Sequence, residues 1–549
     1  MNAKNALPWL AAVLIPVFYA VFYAPYGMDT TDFGYFYGYG WRVLNGQIPY
    51  RDFAYIKPAL PLYWHALWMA ATPEKWLVLG GKLGFMASML ASSWFGALYL
   101  AKIFDFNKLR LSLPPLATCG FVFGVHSFPA MPWHTPDGVL FASASLLAAV
   151  SGYPFPAGIL AACALLCKQS FLFVPAAVLI LLIVLKSGKK KICYFVFALA
   201  LTVGLAIGWL IYNGAFAQFR AMTTGQLAIA EALDAGILIY LRQNWLIPLC
   251  ALLPWAVLKL LKKSPPPPLS PCFVYLVFLA AWYIYNVFAQ KTWIGFGASW
   301  PTLFMILGGI AAFFPGRLLE PWTRTPQKFA GSVGLCAALV VSWSVAVSGG
   351  YKIPAFFATP LVFSFFLFAP LFRTRVNALA WATLLCGLVM FGAGYRYPYV
   401  FPIRTLNFSD FKYDAGEIFP RASGVMVDGE MAAKLAELKQ LRAKYGPGYK
   451  TLPGFTLSYF LNADYPVYGS DWLIDWEING EIEKFYKEAL DKELKIFMEK
   501  DQMDAVRADH YERAAYGIPQ LIRKNWKIID ETPHFIVLEP PDSSGRRIK

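Results

Sequence analysis

The sequence predicts a polytopic α-helical membrane protein followed by a soluble, extracytoplasmic α/β domain, and three observations carry that prediction. Of its 549 residues 58% are hydrophobic and 17% aromatic, and the mean hydropathy is +0.48. A water-soluble domain of this length does not carry such a composition. Apolar runs of spanning length recur through the first 400 positions, at about 20 residues per crossing. The acidic residues are segregated: residues 1–400 hold nine (Asp29, Asp32, Asp52, Glu74, Asp105, Asp137, Glu231, Asp234 and Glu320), leaving 24 of the 33 for the remainder. A membrane part, 1–400, and a soluble part, 401–549, follow.

The apolar runs fall near 6–24, 76–101, 113–126, 138–152, 153–168, 170–185, 192–212, 243–261, 272–289, 299–315, 329–348, 353–371 and 377–394, about 13 candidate transmembrane helices. Basic residues follow every second run: Lys102, Lys108 and Arg110; Lys186 and Lys189 to Lys191; Lys259, Lys262 and Lys263; Arg317, Arg324 and Lys328; Arg373 and Arg375. This is the pattern of cytoplasmic loops. It accounts for the net charge of +15 without a nucleic-acid partner. By alternation, loops 25–75, 127–137 and 213–242, the 290–298 turn and the C-terminal part lie outside. The eight cysteines all sit in apolar stretches, so neither a disulfide framework nor a thiolate metal site is expected.

Beyond residue 404 short strands alternate with polar helices: Gly424–Val427, Glu430–Tyr445, Tyr449–Leu452, Glu481–Glu499, Tyr511–Arg523 and Trp526–Leu538. The alternation predicts an α/β domain with a partly parallel sheet. It has no glycine-rich phosphate loop and no metal-ligand spacing, so the chemistry is expected elsewhere.

The first outer loop is where charge concentrates. It reads Met28-Asp29-Thr30-Thr31-Asp32-Phe33-Gly34-Tyr35, and then Trp41-Arg42 through Pro49-Tyr50-Arg51-Asp52-Phe53 to Lys57-Pro58. Between Asp32 and Gly46, Phe36, Tyr39 and Val43 recur at helical spacing. Two readings stand: a surface helix that holds Asp32 beside lipid headgroups, or an interfacial anchor whose aromatic residues and Arg42 touch those headgroups. In the second outer loop His134 and Asp137 precede an apolar run, where an Asp is either an N-cap or a functional carboxylate. Lys168 is a lone cation between two apolar runs, which is either a snorkelling side chain or a site for an anion.

Taken together, these features resemble the GT-C superfamily of membrane glycosyltransferases, in the branch of the protein O-mannosyltransferases and lipid A aminoarabinose transferases. The matching elements are Asp32, Gly46, Pro49-Tyr50-Arg51-Asp52-Phe53, Lys57-Pro58, Asp137, and Gly158 with Lys168-Gln169. The match is by motif over 1–185 and by topology beyond. Two departures stand out: Asp32-Phe33 where relatives have Asp-Glu, and Lys57-Pro58-Ala59 where they have Lys-Pro-Pro. The first removes one carboxylate from any metal-assisted version, and Asp29 is the candidate substitute.

The resemblance implies a hexosyl- or pentosyltransferase of the bacterial inner membrane and cell envelope. It would move a sugar from a polyprenyl-phosphate donor to an acceptor hydroxyl of a glycan, lipid or protein, on the periplasmic face, with inversion. Asp32 is then the base, with Asp137 and Asp29 as catalytic partners. Lys57, Lys168, Arg51 and Lys291 are candidates for the phosphate, and Tyr35, Asp52, His134 and Arg220 for other substrate contacts. A divalent metal ion shared by Asp32 and Asp137 is the one cofactor considered. Loop 213–242, with Arg220, Glu231, Asp234 and a helical stretch Leu227–Leu233, is expected to be a mobile lid. A transporter or flippase for a lipid-linked substrate, and an O-antigen ligase or polymerase, are the alternatives. The first predicts acidic groups near the bilayer midplane on repeated halves, and neither the acidic placement nor an internal repeat is present in this sequence.

Overall fold

The structure, a computed structural model, describes residues 3–109, 111–127, 130–224, 260, 323–327, 329–346, 359–360, 362–363, 406, 408–475, 477–503 and 516–541. Eight of the expected apolar runs fall on described helices: α1 (Ala3–Phe22), α4 (Leu77–Ile103), α5 (Leu113–Ser127), α6 (His134–Val150), α7 (Pro154–Leu165), α8 (Phe173–Val184), α9 (Lys189–Tyr212) and α11 (Ala330–Ala346). The stretches 74–103 and 189–212 are long and apolar enough by themselves to cross a bilayer. The runs near 243–261, 272–289, 299–315 and 377–394, and nearly all of 353–371, lie outside the described residues.

Outward faces of α1 (Leu10, Val13, Leu14, Val17, Val21) and α9 (Phe197, Leu201, Leu205, Ile211) are large, apolar and exposed, which is the surface a lipid-facing helix presents. Small residues set the inner spacing. A Cβ on Gly158 of α7 would stand 2.3 Å from the Phe195 carbonyl oxygen of α9, so these helices touch backbone to backbone. The basic residues collect at one end of the bundle. Arg324 N donates to Ile103 O at 2.9 Å beside Lys102, and Lys191 Nζ lies 3.7 Å from a Cβ placed on Gly152. The acidic first loop sits at the opposite end.

Loop 25–75 is structured. It contains α2 (Asp32–Leu44) and α3 (Leu60–Ala71), the latter not expected from the sequence; at 12 residues and ~1.5 Å per residue it is too short to span. α2 starts at Asp32 as expected, but it does not lie on the bilayer surface. Its Phe36 and Tyr39 enter one buried cluster with Leu452, Ile496 and Leu538, while its Phe33 and Tyr37 enter another with Leu435, Phe455 and Phe497. Both faces of α2 are therefore covered, each by residues of the membrane part and of the C-terminal part together.

That C-terminal part carries β1 (Tyr413–Asp414), β2 (Met426–Val427), α12 (Gly429–Tyr445), β3 (Tyr449–Leu452), α13 (Ser458–Asn462), α14 (Ile482–Asp491), β4 (Lys495–Glu499), α15 (Gly517–Asn525), β5 (Lys527–Glu531) and β6 (Phe535–Glu539). The sheet order is β3-β4-β6-β5, with β3 and β4 parallel and the other pairs antiparallel, a mixed sheet as expected. Two elements differ from expectation. The helix expected over 481–499 stops at Asp491, because Ile496, Phe497 and Met498 fill the buried strand β4 between β3 and β6. The segment 526–538 is a hairpin turning at Thr532, whose N–H donates to Phe535 O at 2.8 Å.

The two parts share a core, so residue 400 is a boundary of composition and not of packing. Arg42, fully buried on α2, makes the central joint. Its Nε donates to Asp471 Oδ2 at 2.9 Å and its Nη2 to Asp471 Oδ1 at 2.5 Å. Nη1 donates to Gln47 Oε1 at 2.9 Å and Nη2 also to Tyr468 O at 2.7 Å, while the guanidinium lies 5.3 Å from the Phe53 ring centroid. The anchor reading of Arg42 is thus corrected: it is bound to a carboxylate from the C-terminal part. A second joint is Arg421, which donates to Glu74 Oε1 at 2.7 Å and stacks 4.1 Å from Trp41. At Gly34 a Cβ would come within 2.3 Å of Leu457 N and of Thr456 Oγ1.

Removing one partner of a buried ion pair leaves the other uncompensated, at a cost of about 3–5 kcal/mol. Asp471→Asn is therefore expected to lower the melting temperature of the detergent-purified protein and to expose 408–541 to protease. Gly34→Val should do the same through a clash, without changing any charge. Unchanged melting and cleavage in both variants would show that this interface does not hold the two parts together.

Candidate functional site

The site is built at the N-terminus of α2. Asp29 Oδ1 accepts from Thr31 N at 2.7 Å and Phe33 N at 3.4 Å, satisfying amides that the first helical turn leaves without partners. Its Oδ2 is buried and has no hydrogen-bond partner. Asp32 follows as the first helical residue. Lys82, from the first turns of α4, fixes the preceding turn by donating to Tyr26 O at 2.8 Å and Gly27 O at 2.6 Å.

Lys57 arrives from the loop between α2 and α3. That loop turns at Tyr50, whose φ is 68°, and the Tyr50 hydroxyl donates to Lys57 O at 2.5 Å. Lys57 Nζ donates to both oxygens of Glu477, at 2.9 and 3.2 Å, and stands 5.5 Å from the Tyr35 ring centroid. Glu477 Oε2 also accepts from the Tyr35 hydroxyl at 2.5 Å. Lys168 comes from the connection between α7 and α8. This connection is tied to the Lys57 loop by Gln169 Nε2 donating to Ile56 O at 2.7 Å. Lys168 is 6% exposed, and its Nζ has no hydrogen-bond partner among the described residues. The ring nitrogens of buried His134 and the Tyr55 hydroxyl are likewise unpartnered.

These groups act on one another electrostatically. Asp32 feels Asp29 and Glu477 as like charges and Lys57 as an opposite one; His134 has Lys57, Lys168 and His65 as charged neighbours. Burial, and then the two carboxylates, hold the Asp32 carboxyl well above the ordinary range, against the opposing pull of Lys57. Burial pushes Asp29 up to about 6 despite its amide hydrogen bonds. Burial, helped by Lys57, pushes Lys168 down to about 7. A carboxylate with raised proton affinity near Lys57, and a buried ammonium near the same lysine with no hydrogen-bond partner among the described residues, can take a proton and bind an anion within one cluster.

Asp137 is a separate buried carboxylate bound to a histidine. It lies in the first turn of α6, which begins three residues earlier at His134, so it is not the cap. Its Oδ2 is 2.8 Å from His65 Nε2, and His65 Nδ1 is 3.4 Å from Phe36 O, one turn along α2 from Asp32. Asp137 is thus bound to an imidazole that reaches the backbone of α2. Among the described residues no group of three His, Cys, Asp or Glu side chains is arranged to hold a metal ion. Arg51 and Asp52 are on an exposed turn and bind each other, Nη2 to Oδ2 at 2.7 Å. Arg220 is exposed on α10 (Phe216–Thr224), which docks through Phe219 against Tyr50 at 5.1 Å between ring centroids. Leu227–Leu233, Glu231, Asp234 and Lys291 lie outside the described residues.

Three site residues were not expected. Lys82 obeys the rule that singled out Lys168, an ionisable residue bounded by apolar sequence. His65 is a lone imidazole in an apolar run. Glu477 carries no sequence signal, since the chain places it 420 positions from Lys57, and it brings a carboxylate of the C-terminal part into the cluster.

No protein-family model and no curated protein matches the chain. Two solved structures are similar to it. The crystal structure of ArnT from Cupriavidus metallidurans bound to undecaprenyl phosphate is 11% identical, with 99% of this chain and 99% of that chain covered and a TM-score of 0.39. The same protein in the apo state is 10% identical, with 97% and 98% covered and a TM-score of 0.41.

The charge arrangement predicts how Asp32 titrates. Its protonated carboxyl band in infrared difference spectra against Asp32→Asn should persist well above the ordinary Asp value of about 4. Asp29→Asn removes a neighbouring negative charge, so the band should vanish at lower pH than in the wild type. A midpoint unmoved by Asp29→Asn would separate the two carboxylates.

Proposed function

We propose that the chain is a GT-C-type glycosyltransferase that takes a sugar from a polyprenyl-phosphate donor at the extracytoplasmic face of the bacterial inner membrane. One observation carries the reading: Lys168 is buried with no hydrogen-bond partner among the described residues, near Lys57, which itself neighbours Asp32. A desolvated ammonium of this kind is stabilised by an anion delivered from outside. The ordered motifs from Asp32 to Lys168 support the same class, and the clustering of basic residues at the far end of the bundle supports the orientation.

The reaction we infer is an inverting displacement. The acceptor hydroxyl attacks the anomeric carbon on the face opposite the phosphate, forming the new C–O bond with inversion. The bond from that carbon to the phosphate oxygen breaks, and the polyprenyl phosphate departs with the electron pair. Asp32 receives the hydroxyl proton as the bond forms, and Lys57 and Lys168 stabilise the charge that develops on the phosphate. Raised proton affinity makes the ionised Asp32 carboxylate a stronger base than one of ordinary pKa.

Purified protein in detergent, given undecaprenyl-phosphate hexoses and pentoses with extracted envelope glycolipids as acceptors, tests the proposal by mass spectrometry of the products. Asp32→Asn keeps shape and removes the proton acceptor, so turnover should fall by roughly two to four orders of magnitude with donor binding retained. Lys57→Ala should weaken donor binding and slow turnover. Near-normal turnover in Asp32→Asn would remove Asp32 as the base.

The lowered Lys168 proton affinity adds a pH signature. Donor-free protein loses the Lys168 proton as pH rises through about 7, whereas a bound phosphate holds that proton on. Donor affinity should therefore decline above pH 7, and Lys168→Met should bind more weakly and lose that decline. A pH-independent affinity in the wild type would place the phosphate elsewhere.

A further inference from the structure

Glu477 occupies Lys57 in the way a phosphate oxygen would. Its carboxylate takes two N–H donors from Lys57, at 2.9 and 3.2 Å, and a third bond from the Tyr35 hydroxyl at 2.5 Å. It is carried on a tight turn of the C-terminal part, where Glu477 N donates to Ile474 O at 2.9 Å and Gly480 N to Asp475 O at 2.7 Å. Asn479 and Gly480 sit at φ 53° and 74°, and Ile478 is fully buried beside it. The turn is anchored, so the carboxylate is presented and not merely nearby.

Among the described residues the cluster holds one anion too few on its basic side. Glu477 bonds Lys57, yet Lys168, close enough to repel Lys57, finds no acceptor among them. A phosphate has several oxygens and can accept from both ammonium groups at once, which a carboxylate fixed on the Tyr35 side does not do. Meanwhile Glu477 stands as a like charge to Asp32.

We propose that Glu477 is the resident anion of the donor-phosphate site: it positions Lys57 before the donor arrives and yields Lys57 to the phosphate on binding. The inference rests on the reading of Lys57 and Lys168 as phosphate ligands. On entry the phosphate oxygens take the Lys57 and Lys168 donors, the two Glu477–Lys57 bonds break, and Glu477 keeps the Tyr35 hydroxyl. No covalent bond changes. Glu477 is thus a positioning residue, contributed in cis by the C-terminal part, and it competes with the substrate.

A competitor built into the protein reduces apparent affinity by the fraction of molecules in which it is seated. Glu477→Gln keeps the shape and removes the charge, so the full-length protein in detergent should bind undecaprenyl phosphate about tenfold more tightly. Undecaprenol, which lacks the phosphate, should bind wild type and Glu477→Gln alike, and the gain should vanish in the Lys57→Met background because the two residues act on one contact. Damage to the fold weakens binding, so a gain separates competition from a structural role. Unchanged or weaker binding by Glu477→Gln, with Lys57→Met still weakening the wild type, would overturn the inference and leave the phosphate site standing. Normal binding by both Lys57→Met and Lys168→Met would instead overturn the phosphate site itself.

Discussion

The buried pair between Arg42 and Asp471 is the constraint on which the site depends. A guanidinium withdrawn from water is tolerated only when its donors are matched, and here Asp471, Gln47 and the Tyr468 carbonyl match them. Asp471 lies six positions before Glu477, so the same pairing that seats α2 also sets the turn that delivers Glu477 to Lys57. Tyr39 and Phe53, which flank the guanidinium, are in turn neighbours of Tyr35 and Tyr55. Binding determinants and structural determinants are thus a single packed unit.

Within that unit, the chemistry is shaped by an imbalance of charge. Asp29, Asp32 and Glu477 crowd the start of α2, while the cations are divided between one paired lysine and one unpaired lysine. Burial, and then the crowding, makes Asp32 reluctant to ionise, and burial, helped by Lys57, makes Lys168 reluctant to stay protonated. Both strains are relieved together if a phosphate reaches the lysines and a hydroxyl gives its proton to the carboxylate. The His65–Asp137 pair closes the far side of the cluster and holds α3 against α6.

Much of this was legible in the sequence. Apolar runs gave the described membrane helices because desolvating a backbone leaves no alternative to internal hydrogen bonding. The charged first loop stood out for the cost of placing so many ions beside lipid, and Asp32 does start a helix. What escaped was non-local. The spacing of Phe36, Tyr39 and Val43 reports one apolar face of α2, but Phe33, Tyr37 and Trp41 make a second, and only tertiary packing shows that both are covered. Ile496 to Met498 read as the end of a polar helix because nothing nearby in sequence reveals the neighbouring strands. Asp137 pairs with a histidine 72 positions away and Glu477 with a lysine 420 positions away, and no periodicity encodes either.

The span of the Arg42–Asp471 contact, 429 positions, also orders events during synthesis. At about 5–20 residues per second, α2 emerges tens of seconds before its partner exists, and through that interval Arg42 has no carboxylate to bury against. The first loop is left in water or held by a chaperone while the intervening chain is made. Loop closure over such a distance comes late in folding. A truncated or stalled chain therefore has its acidic motif in place but no Glu477 on Lys57 and no cover on α2, and the charged cluster is completed only in molecules whose translation has passed the C-terminal sheet.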